Sequence, residues 1–294
     1  MNTKKYYIYT FVVLHYLVVQ DTIECVKSIK AIEKNNNQII YIIIVDNGSL
    51  ETDKDEIMNT VGEDIIYLRS DLNLGFAKGN NIGFNYAQKN LKSDYVILTN
   101  NDIIINNSNF SLGTIDLCYE KYHFAVLGPN ILAGNKKICQ NPHISKSFNK
   151  YSIISYIVKS IIMYLLTLFH MDTLLFKKPS PTDESSFFSF DSSTVDITKI
   201  DTLFLHGSFL IFSPQYYSKE GLFDGTFMYL EENILKYLCK KNGCKLYYTS
   251  LLSVYHKEDA STNALTNSDR KKKLFYFKNV IKSALIFCKL LWKQ

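Results

Sequence analysis

A chain of 294 residues, 47% hydrophobic and 21% charged, has ample material for one large domain or two closely packed ones, and needs no metal or disulfide staple for stability. A formal net charge of +5 is too mild to demand nucleic acid as partner, and no helix-turn-helix, zinc-finger or aromatic-basic ladder accompanies it. Cys25, Cys118, Cys139, Cys239, Cys244 and Cys288 form neither a CxxC pair nor a regular framework, which argues against a disulfide scaffold and for reduced thiols in a cytosolic setting.

Met1 to Lys5 is polar and basic, and the apolar run from Tyr6 to Val19 alternates like a strand without a small-residue cleavage site. A cytoplasmic location is therefore expected. Tyr6 to Leu14 reads as a buried strand, and Asp21 to Asn35 as an amphipathic helix with Asp21 at its N-cap. Ile39 to Val45 is a second buried strand, Glu51 to Thr60 a helix, Ile65 to Arg69 a third strand, Ala77 to Asn90 a helix and Tyr95 to Thr99 a fourth strand. Alternation of helices with continuous apolar strands predicts a parallel sheet covered on both faces, with ligands beyond the carboxyl ends of the strands.

Farther along, Tyr151 to Phe176 is strongly apolar and exceeds the about 20 residues that span a bilayer. Lys159 near its middle, with Ser155, Ser160, Tyr164 and Thr167, favours an interfacial or partner-packing helix. Lys177 to Asp201, rich in Ser, Thr, Pro and Asp, reads as a surface loop or flap. Leu203 to Phe212 follows as a strand, Phe223 to Tyr229 as a loop, Glu231 to Lys241 as a helix stopped by Asn242-Gly243, and Lys245 to Tyr248 as a strand. The Arg270-Lys271-Lys272-Lys273 cluster before Leu274 to Trp292 resembles an anchor for an anionic membrane face; a docking helix with a solvated basic face is the alternative.

Three segments at strand ends carry the candidate chemistry. Asp46-Asn47-Gly48-Ser49 closes the second strand. Asn73-Leu74-Gly75-Phe76-Ala77-Lys78-Gly79-Asn80-Asn81-Ile82-Gly83 concentrates small and amide residues, as a backbone that approaches a ligand closely would. Asn100-Asn101-Asp102 follows the fourth strand, and the period-two spacing directs Asn100 and Asp102 to one side, a pair suited to a hard divalent ion bridging diphosphate oxygens. Glu231 and Glu232 begin a helix, where acids either complement the helix dipole or, held partly out of water, act as a general base. His256 is a candidate metal ligand only if a partner such as Asp102 joins it.

Taken in order, these motifs, with Gly207, Phe223-Asp224 and Phe227-Met228-Tyr229-Leu230 before the two acids, resemble glycosyltransferase family 2, most closely its rhamnosyltransferase-like, surface-polysaccharide branch. The resemblance covers about residues 6 to 260 and implies a GT-A fold: a Rossmann-like, mostly parallel α/β sheet with helices on both faces, an acceptor-side subdomain and a C-terminal helical tail. It divides the chain into a nucleotide-sugar half (1–110), an acceptor and catalytic-base half (111–260) and a basic, amphipathic tail (261–294). It implies an inverting transfer from a dTDP- or UDP-sugar to a glycan or lipid-linked acceptor in cell-surface polysaccharide biosynthesis. By the same resemblance Asp46, Asn47, Gly75, Lys78, Asn80, Asn100 and Asn101 are donor-binding, Asp102 and His256 hold Mg²⁺ or Mn²⁺, and Glu232, beside Glu231, is the base. Peripheral contact with the inner face of the cell membrane through 151–176 and 270–292 completes the expectation. A nucleotidyltransferase and a non-catalytic scaffold subunit are its rivals; a Gly-rich basic motif near the N-terminus, the mark of the former, is missing from Tyr6 to Asp21.

Overall fold

The computed structural model describes residues 6–133, 138–171, 193–217, 222–257 and 269–293. The first half alternates β1 (Tyr7–His15), α1 (Val19–Lys30), β2 (Gln38–Asn47), α2 (Glu51–Val61), β3 (Ile66–Ser70), α3 (Phe76–Lys89) and β4 (Tyr95–Asn100). The side-chain period of two sorts each strand between two layers. Phe11, Val13, Ile42 and Ile44 pack against Ile23, Val26 and Ile29 of α1, while Val12, Ile43 and Val45 pack against Phe84 and Ala87 of α3. Each such fully buried side chain contributes about 1.5–3 kcal/mol, and both faces of the strands are filled, which is why they read as unbroken apolar runs.

β1, β2, β3 and β4 are parallel, in the order β3-β2-β1-β4. The chain moves outward from β1 to β3 and then returns to the other side of β1, which places the topological switch at the carboxyl ends of β1 and β4. Register aligns those ends: His15 lies opposite Asp46, and Leu14 opposite Asn100.

The second half continues the same sheet. After β5 (Ile103–Ile105) and α4 (Leu112–Tyr122) come β6 (Val126–Ala133), β7 (Ile138–Cys139), β8 (His143–Ile144), α5 (Lys150–Leu168), β9 (Thr194–Asp196), β10 (Leu203–Phe204), β11 (Phe209–Phe212), α6 (Pro214–Tyr217), α7 (Glu231–Lys241), β12 (Leu246–His256) and α8 (Asp269–Trp292). β11 lies antiparallel between β4 and β6, and β12 lies parallel to β6. β8 and β10 form a separate two-stranded sheet. α5, α7 and α8 share a third core of Ile153, Ile157, Ile234, Ala284, Phe287 and Leu291.

Several boundaries differ from expectation. Asp21 is not the N-cap of α1, which begins after Val18; it sits in the first turn and receives the Lys257 ammonium at 2.5 Å. The Leu203 to Phe212 strand is broken at His206-Gly207-Ser208, because the Gly207 N–H is drawn to Glu232 instead of a neighbouring strand. β12 runs past Tyr248 to His256, its register shifting between Thr249 and Ser253, so periodicity alone loses it midway. Of the Lys177 to Asp201 segment, 177–192 lies outside the described residues, and the remainder holds β9 and a short 3₁₀ turn. All six cysteines are free.

Candidate active site

The glycines of the 73–83 segment serve protein packing. A Cβ at Gly83 would sit 2.3 Å from Val12 Cγ1, and one at Gly79 would sit 2.7 Å from Leu14 Cδ1. α3 therefore rides closer to the sheet than any side chain permits. Gly75 has φ +83 and lies against the loop before α7: a Cβ there would be 2.2 Å from the Phe227 carbonyl oxygen, which accepts from the Phe76 N–H at 2.7 Å. The close backbone approach expected towards a ligand is made, at these positions, towards the protein itself.

Asn47 brackets this turn. Its Oδ1 accepts from the Leu74 N–H at 2.9 Å and its Nδ2 donates to the Gly75 carbonyl and to Asn73 Oδ1, each at 3.2 Å. Asn47, Asn73, Gly75, Phe76 and Asn100 line an open cleft of about 760 Å³ with Phe227, Met228 and Phe275. Asn101 also borders it, although its amide is turned inward and donates to the Val18 carbonyl and to Thr22 Oγ1. Asp46 is fully buried: Ser49 N–H, Tyr67 O–H and Arg69 Nη1 all donate to its carboxylate. Its charge thus organises the floor beside the cleft. Lys78 is on the exposed face of α3, away from the cleft lining, and Asn80 is buried, its Nδ2 donating to the Phe76 carbonyl with Oδ1 unpartnered.

Tertiary structure joins two residues far apart in sequence at the other end of β5. His256 Nε2 lies 3.2 Å from Asp102 Oδ2, and its Nδ1 lies 2.7 Å from Gln140 Oε1. An amide oxygen only accepts, so Nδ1 carries a proton, and Nε2 is the nitrogen turned towards the carboxylate. The other carboxylate oxygen, Asp102 Oδ1, is buried without a partner. Asp102 and His256 would hold a divalent cation here, which would supply the positive charge that the unpartnered carboxylate oxygen lacks. Among the described residues no group of three His, Cys, Asp or Glu side chains could hold a metal by itself, so the donor set fits an ion completed by ligand oxygens. Lys257 fastens the end of β12: its N–H donates to the Asp102 carbonyl, and its ammonium bridges Asp21 and Glu24 of α1.

The two acids at the start of α7 have different surroundings. Glu232 accepts the Gly207 N–H through Oε1 at 2.7 Å and faces His143 Nε2 through Oε2 at 3.6 Å. Glu231 points inward with Oε1 unpartnered. Both border a small apolar pocket lined by Leu98, Leu210, Phe212 and Leu238. A helix N-terminus favours a carboxylate by about 0.3–1 kcal/mol, yet loss of water outweighs it here and pushes both groups up to about 7. The backbone leading into them is strained, with φ +72 at Tyr229 and +68 at Leu230. That turn is held from α8, whose Ser283 hydroxyl donates to the Met228 carbonyl and whose Tyr276 ring packs on Tyr229 at 4.9 Å.

Sequence reasoning did not single out His143 and His206. His206 lies between His143 and His256, with ring centroids 5.9 and 5.8 Å away, and forms a row that starts beside Glu232 and ends beside Asp102. Burial, reinforced by the two neighbouring histidines, lowers His206 to about 3 and keeps it neutral. Its Nδ1 accepts the Ser208 N–H, which leaves the proton on Nε2. His206 adjoins the motif glycine Gly207; His143 has no such local signal.

These features define an α/β fold of GT-A type, with its candidate site at the carboxyl ends of β1 and β4. The crystal structure of GalNAc-T7 with UDP, GalNAc and Mn²⁺ superposes with a TM-score of 0.58 at 12% identity, covering 94% of this chain and 48% of that one. S. aureus TarS superposes at 0.50 and 11% identity, covering 90% of this chain and 41% of that one. The chain thus spans about half the length, or less, of these two solved relatives. Residues 10–126 match glycosyl transferase family 2, a stretch that holds Asp46, the 73–83 segment and Asp102 and stops before His143, Gly207, Glu232 and His256. No curated protein matches the chain in sequence.

Proposed function

We propose that the protein is an inverting glycosyltransferase that moves a sugar from a nucleotide-diphosphate donor, dTDP- or UDP-linked, to a glycan or lipid-linked acceptor of cell-surface polysaccharide synthesis. The observation that carries this reading is the Glu232 carboxylate, held by the Gly207 N–H, still open to solvent over 29% of its side chain, and pushed up to about 7 by its apolar wall. A base of that strength takes a proton from a sugar hydroxyl near neutral pH. The family match across Asp46 to Asp102 and the GT-A fold support a nucleotide-sugar donor, and the UDP and Mn²⁺ bound by GalNAc-T7 favour UDP and a divalent metal.

In this reading Asn47, Asn73 and Gly75 shape the cleft that receives the nucleoside, and Asp102 with His256 would hold Mg²⁺ or Mn²⁺. The metal, when bound, offsets negative charge on the departing diphosphate. Glu232 removes the acceptor proton at Oε2 while the acceptor oxygen attacks the anomeric carbon from the face opposite the diphosphate. The carbon–diphosphate bond breaks in the same displacement, which inverts the configuration. Glu231, turned inward, keeps its neighbour's surroundings poor in water. Incubation of purified protein with a panel of nucleotide sugars and Mn²⁺ or Mg²⁺, following nucleoside diphosphate release and thermal stability, tests the reading. Metal-dependent stabilisation or release with one donor supports it; a folded protein inert to every donor and acceptor fraction overturns it.

A further inference from the structure

α5 is apolar on both sides, and among the described residues only one side is covered. Ile153, Ile157 and Thr167 are buried against the rest of the protein. The opposite stripe, Tyr151, Ile154, Val158, Ile161, Leu165 and Leu168, repeats at helical spacing and is 39–78% exposed. Single exposed apolar residues are ordinary, but a continuous stripe along 19 residues marks a surface that meets something apolar.

The neighbouring helix indicates what that is. From Arg270 to Lys293 the chain carries eight cationic residues and no acid. Lys278, Lys282, Leu285, Lys289 and Trp292 are exposed and fall within one arc of α8. The two helices run antiparallel and are tied at both ends: Arg270 donates to the carbonyls of Thr167 and Leu168, and the Lys150 ammonium lies 5.3 Å from the Trp292 ring. An apolar stripe beside a cationic one carrying Trp is the pattern of a helix that lies in a membrane interface, apolar side in the acyl boundary and lysines at anionic headgroups. A crossing helix is disfavoured, because Ile153 and Ile157 on one side of α5 are committed to the core shared with α7 and α8 and Lys159 sits at mid-helix.

We infer that the α5–α8 pair seats the protein flat on an anionic membrane surface. The seat adjoins the site: Phe275 of α8 lines the cleft, while Tyr276 and Ser283 hold the turn before Glu231. A membrane-bound acceptor would reach Glu232 from the side on which the protein rests; this part depends on the proposed function, whereas the seating does not.

Sedimentation of the full chain with phosphatidylcholine vesicles, with and without phosphatidylglycerol, tests the inference. Binding is expected to the anionic vesicles, weakening with salt. Paired V158N and L165N substitutions lie on the exposed stripe and should abolish that binding, and K278E with K282E and K289E should weaken it at least about tenfold. Circular dichroism melts check that these variants fold. Absence of vesicle binding, equal salt-insensitive binding to both vesicle types, or a lipid-indifferent dimer dissolved by the Asn pair would each overturn it. Nucleoside diphosphate release from a soluble donor, measured without vesicles, is expected to survive in every variant, so failure of the seat and failure of the proposed activity read out separately.

Discussion

Replacing Glu232 with Gln should make the protein more stable and inactive at once. Gln keeps the shape and can still accept the Gly207 N–H, but cannot be charged and cannot take a proton. In the folded chain Glu232 rises from its ordinary 4.5 to about 7, mainly through burial. The folded state therefore holds a proton that the unfolded state has released between those values. Its stabilising effect is complete below pH 4.5 and is lost as pH climbs to 7. At about 1.4 kcal/mol per pH unit that loss amounts to about 3 kcal/mol at most, and the residual solvent contact reduces it. Glu232→Gln should thus match the parent near pH 4.5 and exceed it by about 1–3 kcal/mol at pH 8, a gain of several degrees in Tm. Turnover should fall about 10²–10⁴-fold, with donor affinity retained. Denaturant unfolding at both pH values, with diphosphate release at saturating substrate, measures the two effects. Equal stability of parent and variant at pH 8 would refute the desolvated carboxylate, and unchanged turnover would refute the base.

In the parent protein the proposed activity's kcat should rise with pH through about 7 as Glu232 ionises, and a flat profile from pH 5 to 8 would contradict this assignment. Asp102→Ala should abolish activity and remove any Mn²⁺-induced rise in Tm without unfolding the chain, since it deletes the carboxylate paired with His256; retained metal stabilisation would refute the site. His143→Ala should lower kcat about tenfold with little change in donor KM, and His143→Gln should recover part of the loss, because an amide N–H can again face Glu232 Oε2. Gly83→Ala should destabilise by about 1–2 kcal/mol despite the better helix propensity of Ala, because its Cβ would sit 2.3 Å from Val12. Urea unfolding checks the sign.

Much of the first half was legible because its signals are local. Ile42, Ile43, Ile44 and Val45 read as a buried strand from their own run, and the structure sets Asp46 at that strand's end, level with His15 of β1. Leu203 to Phe212 misled for the same reason: an apolar run contains no sign that Gly207 will be claimed by a carboxylate on another helix. The 73–83 glycines were legible as places of close approach, but the identity of the approaching group, Val12, Leu14 or the Phe227 carbonyl, depends on packing.

The sequence by itself determined the alternation of strand and helix, the burial of β1, β2 and β4 and the helix at Glu231. These follow from periodicities of two and 3.6 residues and from glycine and capping chemistry, all of which act within a few positions. Tertiary structure alone decided that His256 meets Asp102, that His143 meets Glu232, that Asp46 is enclosed by Tyr67 and Arg69, and that one side of α5 stays uncovered by the described residues. The reason is physical: the charge state of a carboxylate depends on the water and partners left around it after the chain has closed, and distant segments supply most of those.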